Sequence, residues 1–381
     1  MAIYLDHNAT TPVAPEVLDA MLPFLREEFG NPSSNSPLGH RAKDAIEAAR
    51  HEVAVLIGAQ PDGIVFTSGG TEASNMAIRG TVEGQSTAAI VTSTIEHPAT
   101  EEPCRWLARQ GHAVHRIPAR DDGRIDLDAA RHAIGAATGL VTLIHAQNET
   151  GVLQPVFEVA AMTRRHGIPL HIDAAQSAGK IPIDVAALGI DLLSLAGHKL
   201  YAPKGIGALY VRSGTRLAPM LRGAGQEGGR RPGTENVAFI VGLGAACRLA
   251  AGRLAGGASE TAARLAAALF ARLRQAIPGI VLVGHPTERL PNTLNVLFPE
   301  TTGRAVLENC PEVIASTGSA CHADREEASH ALRALGIPEH AALGAVRLSL
   351  GFATTAQDVE AAADALITAW RQCRAPHRAR A

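Results

Sequence analysis

The sequence DLLSLAGHKLYAPKGIGALYV, residues 191–211, sets a lysine between two apolar runs. The runs 192–195 and 206–211 are short and aliphatic, which predicts two buried strands. Lys199 lies on the connection between them, and glycine and proline residues flank this connection. Lysine is rarely buried unpaired, and desolvation lowers its pKa and makes its amine nucleophilic. Lys199 is therefore a candidate for a Schiff base with pyridoxal 5'-phosphate (PLP). Taken alone, the stretch favours the alternative, a strand-end lysine with its head in water, and the motifs described below reverse that preference.

Short apolar runs and helical patterns alternate along the first half of the chain. This alternation predicts an α/β fold, with a mostly parallel sheet covered by helices on both faces. The predicted strands are residues 64–67, 88–92, 140–144 and 169–172, and the predicted helices are residues 13–29, 41–56, 99–110, 127–137, 156–166 and 236–254.

The pattern changes after Gly256 and Gly257, from strand–helix alternation to an Ala-rich helix followed by scattered short strands. We therefore predict a large domain over residues 13–256. Residues 1–12 and 257–381 would form a smaller α+β domain, which ends in a short basic tail.

Composition limits the class of partner. The chain has 381 residues, a net charge of -2 and 46% hydrophobic residues, which argues against nucleic acid or a membrane as the main partner. The sequence shows no apolar run of about 18 residues and no signal-peptide pattern. Five cysteines lie far apart without a CxxC pair, so we expect reduced thiols in the cytoplasm and neither a disulfide framework nor a zinc site.

Two polar motifs follow predicted strands. SGGTE, residues 68–72, opens a helix, and free N–H groups at a helix N-terminus bind anions; an ordinary capped turn is the alternative. Asp173 ends a strand at the edge where open α/β sheets bind ligands. It is suited to pair with the pyridine nitrogen of PLP, with Gln176 near the phenolic oxygen, and helix capping is its alternative. His171 and Asp173 lack a third metal ligand at a suitable spacing.

Three further residues have both a site role and a structural alternative. His97 follows a strand and could stack on an aromatic cofactor or cap a helix. Asn148 lies in a turn after a strand and could hydrogen-bond a ligand. Arg347 interrupts an apolar strand, and a buried charge needs a partner: either a substrate carboxylate or a structural acid.

Cys321 lies in the small, polar stretch STGSACH, residues 316–322. Free cysteines are usually buried and inert, but this one has nothing bulky around it in the sequence. That setting is typical of a reactive thiol.

These motifs together resemble the cysteine desulfurases of the class V aminotransferase family, in the nitrogen-fixation and iron–sulfur-cluster branch. The resemblance extends from Ile3 to about Thr355, and selenocysteine lyases share most of it. It implies PLP-dependent transferase fold type I and conversion of L-cysteine to L-alanine. The quoted motifs are YLDHNATTP (4–12), SGGTE (68–72), EH (96–97), NETG (148–151), DAAQ (173–176), GHK (197–199) and GSAC (318–321).

The resemblance also implies roles for single residues. Lys199 would hold PLP, His97 would stack on its ring, and Asp173 and Gln176 would bind the ring nitrogen and the phenolic oxygen. Asn148 and Arg347 would bind the substrate carboxylate, and Cys321 would be the nucleophile that takes the sulfur as a persulfide. The implied phosphate ligands are Gly70, Thr71, His198 and, from the partner subunit of a homodimer, Thr234.

One position departs from the family pattern. Many relatives carry a hydroxyl residue where this chain has Ala196, so one phosphate hydrogen bond of ~1–2 kcal/mol would be lost. The implied partners are a sulfur-acceptor protein, such as an Fe–S scaffold or a tRNA-thiolation carrier. The alternatives left open are a selenocysteine lyase, an aminotransferase or other PLP lyase, and a non-catalytic scaffold.

Overall fold

The computed structural model describes residues 2–84, 88–317 and 328–374. The strands are β1 (Ile3–Tyr4), β2 (Ile64–Thr67), β3 (Ala89–Ser93), β4 (Val114–Ile117), β5 (Thr138–Ile144), β6 (Leu170–Asp173), β7 (Leu192–Ala196), β8 (Gly207–Val211), β9 (Val281–Leu282), β10 (Thr293–Leu297), β11 (Val313–Ile314) and β12 (Ala345–Ser349). The helices are α1 (Pro15–Arg26), α2 (Pro37–Ile57), α3 (Gly70–Val82), α4 (Pro98–Arg109), α5 (Leu127–Ala133), α6 (Val156–Arg165), α7 (Val185–Leu188), α8 (Val237–Ala255), α9 (Ala258–Ala276), α10 (Gly303–Glu308), α11 (His330–Ala334), α12 (Glu339–Ala342) and α13 (Ala356–Arg374).

The central sheet has the strand order β2-β8-β7-β6-β5-β3-β4. Strand β8 pairs antiparallel with both of its neighbours, and the other pairings are parallel. The predicted mostly parallel sheet is therefore confirmed. Strand β4 was missed by the sequence analysis because its side chains alternate poorly: Val114 is half-buried, the next two are exposed, and Ile117 is buried.

Helix α8 is partly buried. Half of its apolar stretch is buried, and it packs against α1 and α2. Within the described ranges it is the one helix that is long and apolar enough to cross a membrane. The sequence analysis overlooked this property, because the apolar character comes partly from small Gly and Ala residues spread along the helix. Burial against two other helices is typical of the core helix of a soluble protein.

The C-terminal part of the chain has its own sheet and its own apolar cluster. The antiparallel order is β12-β10-β9, and α9 and α13 pack beside it. Leu5 joins this cluster, and β1 pairs in parallel with β11. Gly257, at φ 80°, separates α8 from α9 where the domain boundary was predicted. The two-domain assignment itself stays a prediction.

Gly207 allows the loop before α3 to cross the start of β8. A Cβ atom there would lie 2.5 Å from the Leu195 carbonyl oxygen and 2.7 Å from Gly69 Cα. Both neighbours are backbone, so neither can rotate away.

We expect Gly207→Ala to destabilise the fold by about 1–3 kcal/mol, the usual cost of overpacking. Urea unfolding followed by circular dichroism measures this effect. Gly135→Ala is the matched control, because no atom lies within 4 Å of the added methyl group. Equal unfolding midpoints for the two variants would contradict the close packing described at Gly207.

Candidate active site

A cavity of about 300 Å³ opens at the carboxyl ends of β5, β6 and β7. Its wall also includes the starts of α3 and α4 and the N-terminal residues Asn8 and Ala9. Ligands of open α/β sheets bind at this edge. The predicted site residues that line the cavity are Gly70, Thr71, His97, Asn148, Asp173, Gln176, His198, Lys199 and Arg347.

Lys199 ends a single 3₁₀ turn that directly follows β7. Its Nζ donates hydrogen bonds to the main-chain carbonyl oxygens of Asn8 and of Ala9, the latter at 2.6 Å. Burial and the nearby Arg347 together lower the pKa of Lys199 to about 8, and the carboxylates of Asp6 and Asp173 oppose this shift. A substantial fraction of this amine is therefore neutral and nucleophilic in mildly alkaline solution.

Asp173 is the last residue of β6 and is 4% exposed. One carboxylate oxygen accepts a hydrogen bond of 2.9 Å from the Ala175 N–H. This contact closes a turn and does not cap a helix, since the next helix begins at Val185. Burial raises the pKa of Asp173, and the nearby His97 opposes the shift. Among the residues described, no lysine or arginine forms an ion pair with it. A protonated ring nitrogen would supply the missing positive partner.

His97 both caps α4 and faces the cavity, so its two predicted alternatives coexist. Its Nδ1 accepts a hydrogen bond of 3.1 Å from the Ala99 N–H. Burial lowers the pKa of His97. A neutral, fixed imidazole beside Asp173 is suited to lie against an aromatic ring.

One end of the cavity is suited to bind an anion, because it lies at the start of α3, where Gly70 is the first helical residue. The acid in this first turn is engaged elsewhere, since Glu72 accepts hydrogen bonds from the Ser68 N–H and from Arg231 Nε at 3.0 Å. Ala196 lies opposite, 3.2 Å from where a Cβ of residue 70 would stand. The hydroxyl absent at position 196 is therefore absent from the wall of this cavity.

His198 completes the wall near the same end. Its Nδ1 lies 3.1 Å from Thr10 Oγ1. Burial, with Lys199 next to it, lowers the pKa of His198 to about 4. The ring is neutral near pH 7 and acts through its N–H and its lone pair.

Arg347 enters the cavity from β12 and already has an acidic partner. Its Nη2 donates to Asp6 Oδ1 at 2.7 Å, and its Nη1 donates to the Asn148 carbonyl oxygen at 3.1 Å. The structural acid that the sequence analysis left open is thus Asp6. The guanidinium Nε is buried and has no hydrogen-bond partner within the described part of the chain. Binding of a substrate carboxylate by Arg347 stays a prediction.

Besides Asp6, two residues at the site were given no role by the sequence analysis. Asn8 holds the carbonyl oxygen that Lys199 contacts, and Lys180 donates to Asn8 Oδ1 and Gln176 Oε1. The chain has only four lysines, and Lys180 lies four residues after Gln176. A rare lysine so close in sequence to a predicted site residue was the one signal that could have identified it.

Two predicted site residues are not placed at this cavity. Thr234 is exposed and does not line it. Cys321 lies outside the described residues. The roles that the resemblance implies for Thr234 and Cys321 stay predictions.

The buried histidines beneath the site are structural. His171 lies between Thr142 Oγ1 at 2.7 Å and Ser194 Oγ at 2.8 Å, and His145 Nδ1 lies 2.9 Å from Ser177 Oγ. Burial lowers their pKa values, to about 3 for His171 and about 4 for His145. In residues 2–84, 88–317 and 328–374, no group of three His, Cys, Asp or Glu side chains is placed to hold a metal ion.

The site combines a lysine that follows one strand, an acid at the end of the neighbouring strand and an imidazole at a helix N-terminus. This combination defines a PLP-dependent enzyme of the α/β class. The family described as aminotransferase class-V matches residues 3–362. Cysteine desulfurase IscS of Dictyoglomus turgidum (strain DSM 6724 / Z-1310) is 42% identical over 368 residues, which cover 96% of this chain and 93% of the relative. Cysteine desulfurase NifS of Azotobacter vinelandii is 43% identical over 94% of this chain and 90% of its own length.

A solved structure titled NifS-like protein has the same fold. It superimposes with a TM-score of 0.90 at 33% identity, over 97% of this chain and 99% of its own. This chain belongs to the class V aminotransferase family and, within it, to the cysteine desulfurases. The predicted family, fold class, cofactor and type of enzyme are thereby confirmed.

The lowered pKa of Lys199 leads to a test on the PLP-free enzyme. We expect an amine-specific reagent to label Lys199 with a midpoint near pH 8, about two pH units below a lysine in a model peptide at roughly 10.4. Peptide mass spectrometry measures the labelling rate against pH. Asp173→Asn should lower the midpoint further, because the carboxylate raises the pKa of Lys199, and the exposed Asp44→Asn should not. A wild-type midpoint near the model-peptide value would refute the electrostatics described here.

Proposed function

We propose that the enzyme removes sulfur from L-cysteine, releases L-alanine and leaves the sulfur as a persulfide on Cys321. The observation that carries this proposal is the cavity at the sheet edge, which brings nine of the predicted site residues together. The family relationship supplies the substrate class. Fe–S cluster assembly or thiolation of tRNA through a carrier protein would consume the sulfur.

The residues of the cavity fit PLP. The unpaired buried carboxylate of Asp173 suits a protonated ring nitrogen, the α3 N-terminus suits a phosphate, and Lys199 suits the aldehyde. His97 would lie on the ring face and Gln176 at the phenolic oxygen. When bound, PLP supplies an electron sink for the pair released at the substrate Cα.

The chain itself supplies the proton transfer. Lys199 Nζ, neutral in a substantial fraction near its pKa of about 8, would take the proton from Cα and return one to the substrate skeleton. Arg347 and Asn148 would hold the substrate carboxylate and so fix Cα beside Nζ. Since Arg347 is already paired with Asp6, the incoming carboxylate would share the guanidinium with that residue.

Sulfur transfer would use Cys321. Its thiolate attacks the substrate sulfur, so that an S–S bond forms while the Cβ–S bond of the substrate breaks. The electron pair of the broken bond passes to the substrate carbon skeleton, which leaves as alanine after protonation. A second thiol on an acceptor protein then takes the terminal sulfur by the same kind of exchange.

We also propose a cytoplasmic homodimer in which Thr234 binds the cofactor phosphate of the partner subunit. The loop around Thr234 is fastened to its own subunit at Glu227, whose carboxylate accepts Arg50 Nη1 at 2.8 Å and the Phe66 N–H at 2.8 Å. Thr234 is exposed and away from the cavity of its own chain. An anchored loop with an exposed hydroxyl is suited to reach a neighbouring subunit.

The desulfurase activity is tested with purified enzyme, L-cysteine and a thiol reductant, following alanine and sulfide. We expect wild type to turn over, and both Lys199→Ala and Cys321→Ala to lose at least ~100-fold, the usual contribution of a group that acts in the chemical step. Cys373→Ala, a half-exposed cysteine on α13, is the control. L-selenocysteine is run in parallel, and turnover of that substrate alone would replace the proposal by a selenocysteine lyase.

The shared site is tested by mixing subunits. A dimer of one Lys199→Ala chain and one Thr234→Val chain has one intact site if Thr234 acts across the interface, and none if it acts within its own chain. We therefore expect this mixed dimer to bind one PLP with wild-type affinity, measured by titration of the PLP-free enzyme. The mixed dimer of wild type with the double variant is the control, since it should lack such a site. The reverse pattern would place Thr234 in its own chain's site.

A further inference from the structure

Lys180 is a buried lysine beside the active site that no motif of the desulfurase site includes. Its side chain is 9% exposed. The Nζ atom donates hydrogen bonds to Asn8 Oδ1 at 2.7 Å and to Gln176 Oε1 at 2.9 Å. Both acceptors are neutral side-chain amides, and both of those residues line the cofactor cavity.

The surroundings of Lys180 contain no counter-charge. No carboxylate forms an ion pair with it in the described part of the chain, and the charged groups that act on it are Lys199 and Arg347, both positive. Burial lowers the pKa of Lys180 well below its ordinary value. A buried lysine without an acid partner is costly to retain, so a role in the site accounts for it better than an ion-pair function.

The two amides of Gln176 and Asn8 have a definite orientation because of Lys180. A lysine head group carries at least two N–H donors whether it is charged or neutral. Facing it, each amide presents its oxygen, and each NH₂ group must then point elsewhere. The NH₂ group of Gln176 donates to the Asn8 carbonyl oxygen at 2.9 Å, and that of Asn8 donates to Thr293 Oγ1 at 2.9 Å.

The reversed orientation of Gln176 would be unfavourable at both ends. Its oxygen would face the Asn8 carbonyl oxygen, and its NH₂ group would face the donors of Lys180. In the observed orientation, one N–H of Gln176 Nε2 donates to the Asn8 carbonyl oxygen, and the other N–H can donate to a ligand in the cavity.

The local fold holds Lys180 in this position from both sides. Gly179 has φ 72°, and this left-handed turn directs the next residue back toward Gln176. A Cβ at Gly179 would lie 2.4 Å from Leu200 Cδ2. The Lys180 carbonyl oxygen accepts a hydrogen bond of 2.7 Å from the Ser259 hydroxyl, at the start of α9. The head group therefore has little freedom to leave the two amides.

We infer that Lys180 is a positioning residue, which orients the Gln176 amide so that its N–H is presented to the phenolic oxygen of PLP. This inference rests on the proposed cofactor site. Because Lys180 acts through Gln176, it contributes to cofactor binding only when Gln176 is present.

A double-mutant cycle on the PLP-free enzyme tests this dependence. Lys180→Met keeps the length of the side chain and removes its donors. We expect it to raise the dissociation constant of PLP about tenfold, the loss expected for one charge-assisted or buried hydrogen bond. Gln176→Ala should cost a similar factor. In the Gln176→Ala background, the further change on Lys180→Met should be less than about twofold, because coupled residues are not additive.

The absorbance spectrum of bound PLP is the second readout, since it reports the hydrogen bond to the phenolic oxygen and not the packing of the chain. We expect the spectrum of Lys180→Met to match that of Gln176→Ala. The exposed Lys43→Met is the control and should match wild type in both readouts. Urea unfolding of each PLP-free variant shows which of them remain folded.

Each outcome separates the inference from the proposed function. If wild type binds no PLP, the cofactor site itself is wrong. If wild type binds PLP and the two substitutions multiply, Lys180 acts independently of Gln176 and the inference is overturned. If Lys180→Met does not fold, Lys180→Gln takes its place in the cycle, and additive effects in that cycle overturn the inference equally.

Discussion

The hydrogen bonds around Asn8 hold the active site together. Its carbonyl oxygen accepts from Lys199 and Gln176, its side chain contacts Lys180 and Thr293, and its N–H donates to Ser349 Oγ at 2.9 Å. Gln176, Lys180 and Lys199 lie on the segments that follow β6 and β7 of the central sheet, whereas Thr293 and Ser349 lie in β10 and β12. A segment near the N-terminus therefore joins the two sheets at the point where the cofactor lysine lies.

This junction also explains the charge distribution of the site. Asp6 lies two residues before Asn8 and pairs with Arg347, so the same segment supplies an acid beside Arg347, in a region that also contains Lys180 and Lys199. The basic side chains of Lys180, Lys199 and Arg347 lie in or next to the wall of the cavity. Such a cavity favours the phosphate of a cofactor and the carboxylate of an amino acid.

Much of the fold was predictable because buried strands leave a strong local signal. Strands β2, β3, β5, β6, β7 and β8 are almost fully buried, and each was visible as an aliphatic run. Strand β4 was not, because two of its four side chains are exposed at the sheet edge. The pairing of β1 with β11 is also beyond sequence patterns, since two-residue strands some 300 positions apart carry no periodicity.

The residues of the site also fall into those that the sequence predicts and those that it does not. Asp173 and Lys199 were predictable because each follows an apolar run, and the carboxyl ends of parallel strands meet at one edge. Asp6, Asn8 and Lys180 were missed because their roles depend on contacts with other segments, and no local pattern reports those contacts. The sequence likewise left open the partner of Arg347, which only the three-dimensional arrangement identifies.

Because of the neutral histidines beneath the sheet edge, the folded chain binds fewer protons than the unfolded chain in mildly acidic solution. His145 and His171 are held below the ordinary histidine pKa of roughly 6.5, while the unfolded chain binds protons on both rings at that pH. The folded state therefore has its full advantage above about pH 6.5 and loses it as the pH falls toward 4 and 3. Acid unfolding of this enzyme would be accompanied by net proton uptake, and the residues responsible would be hydroxyl-bonded rings with no part in the chemistry.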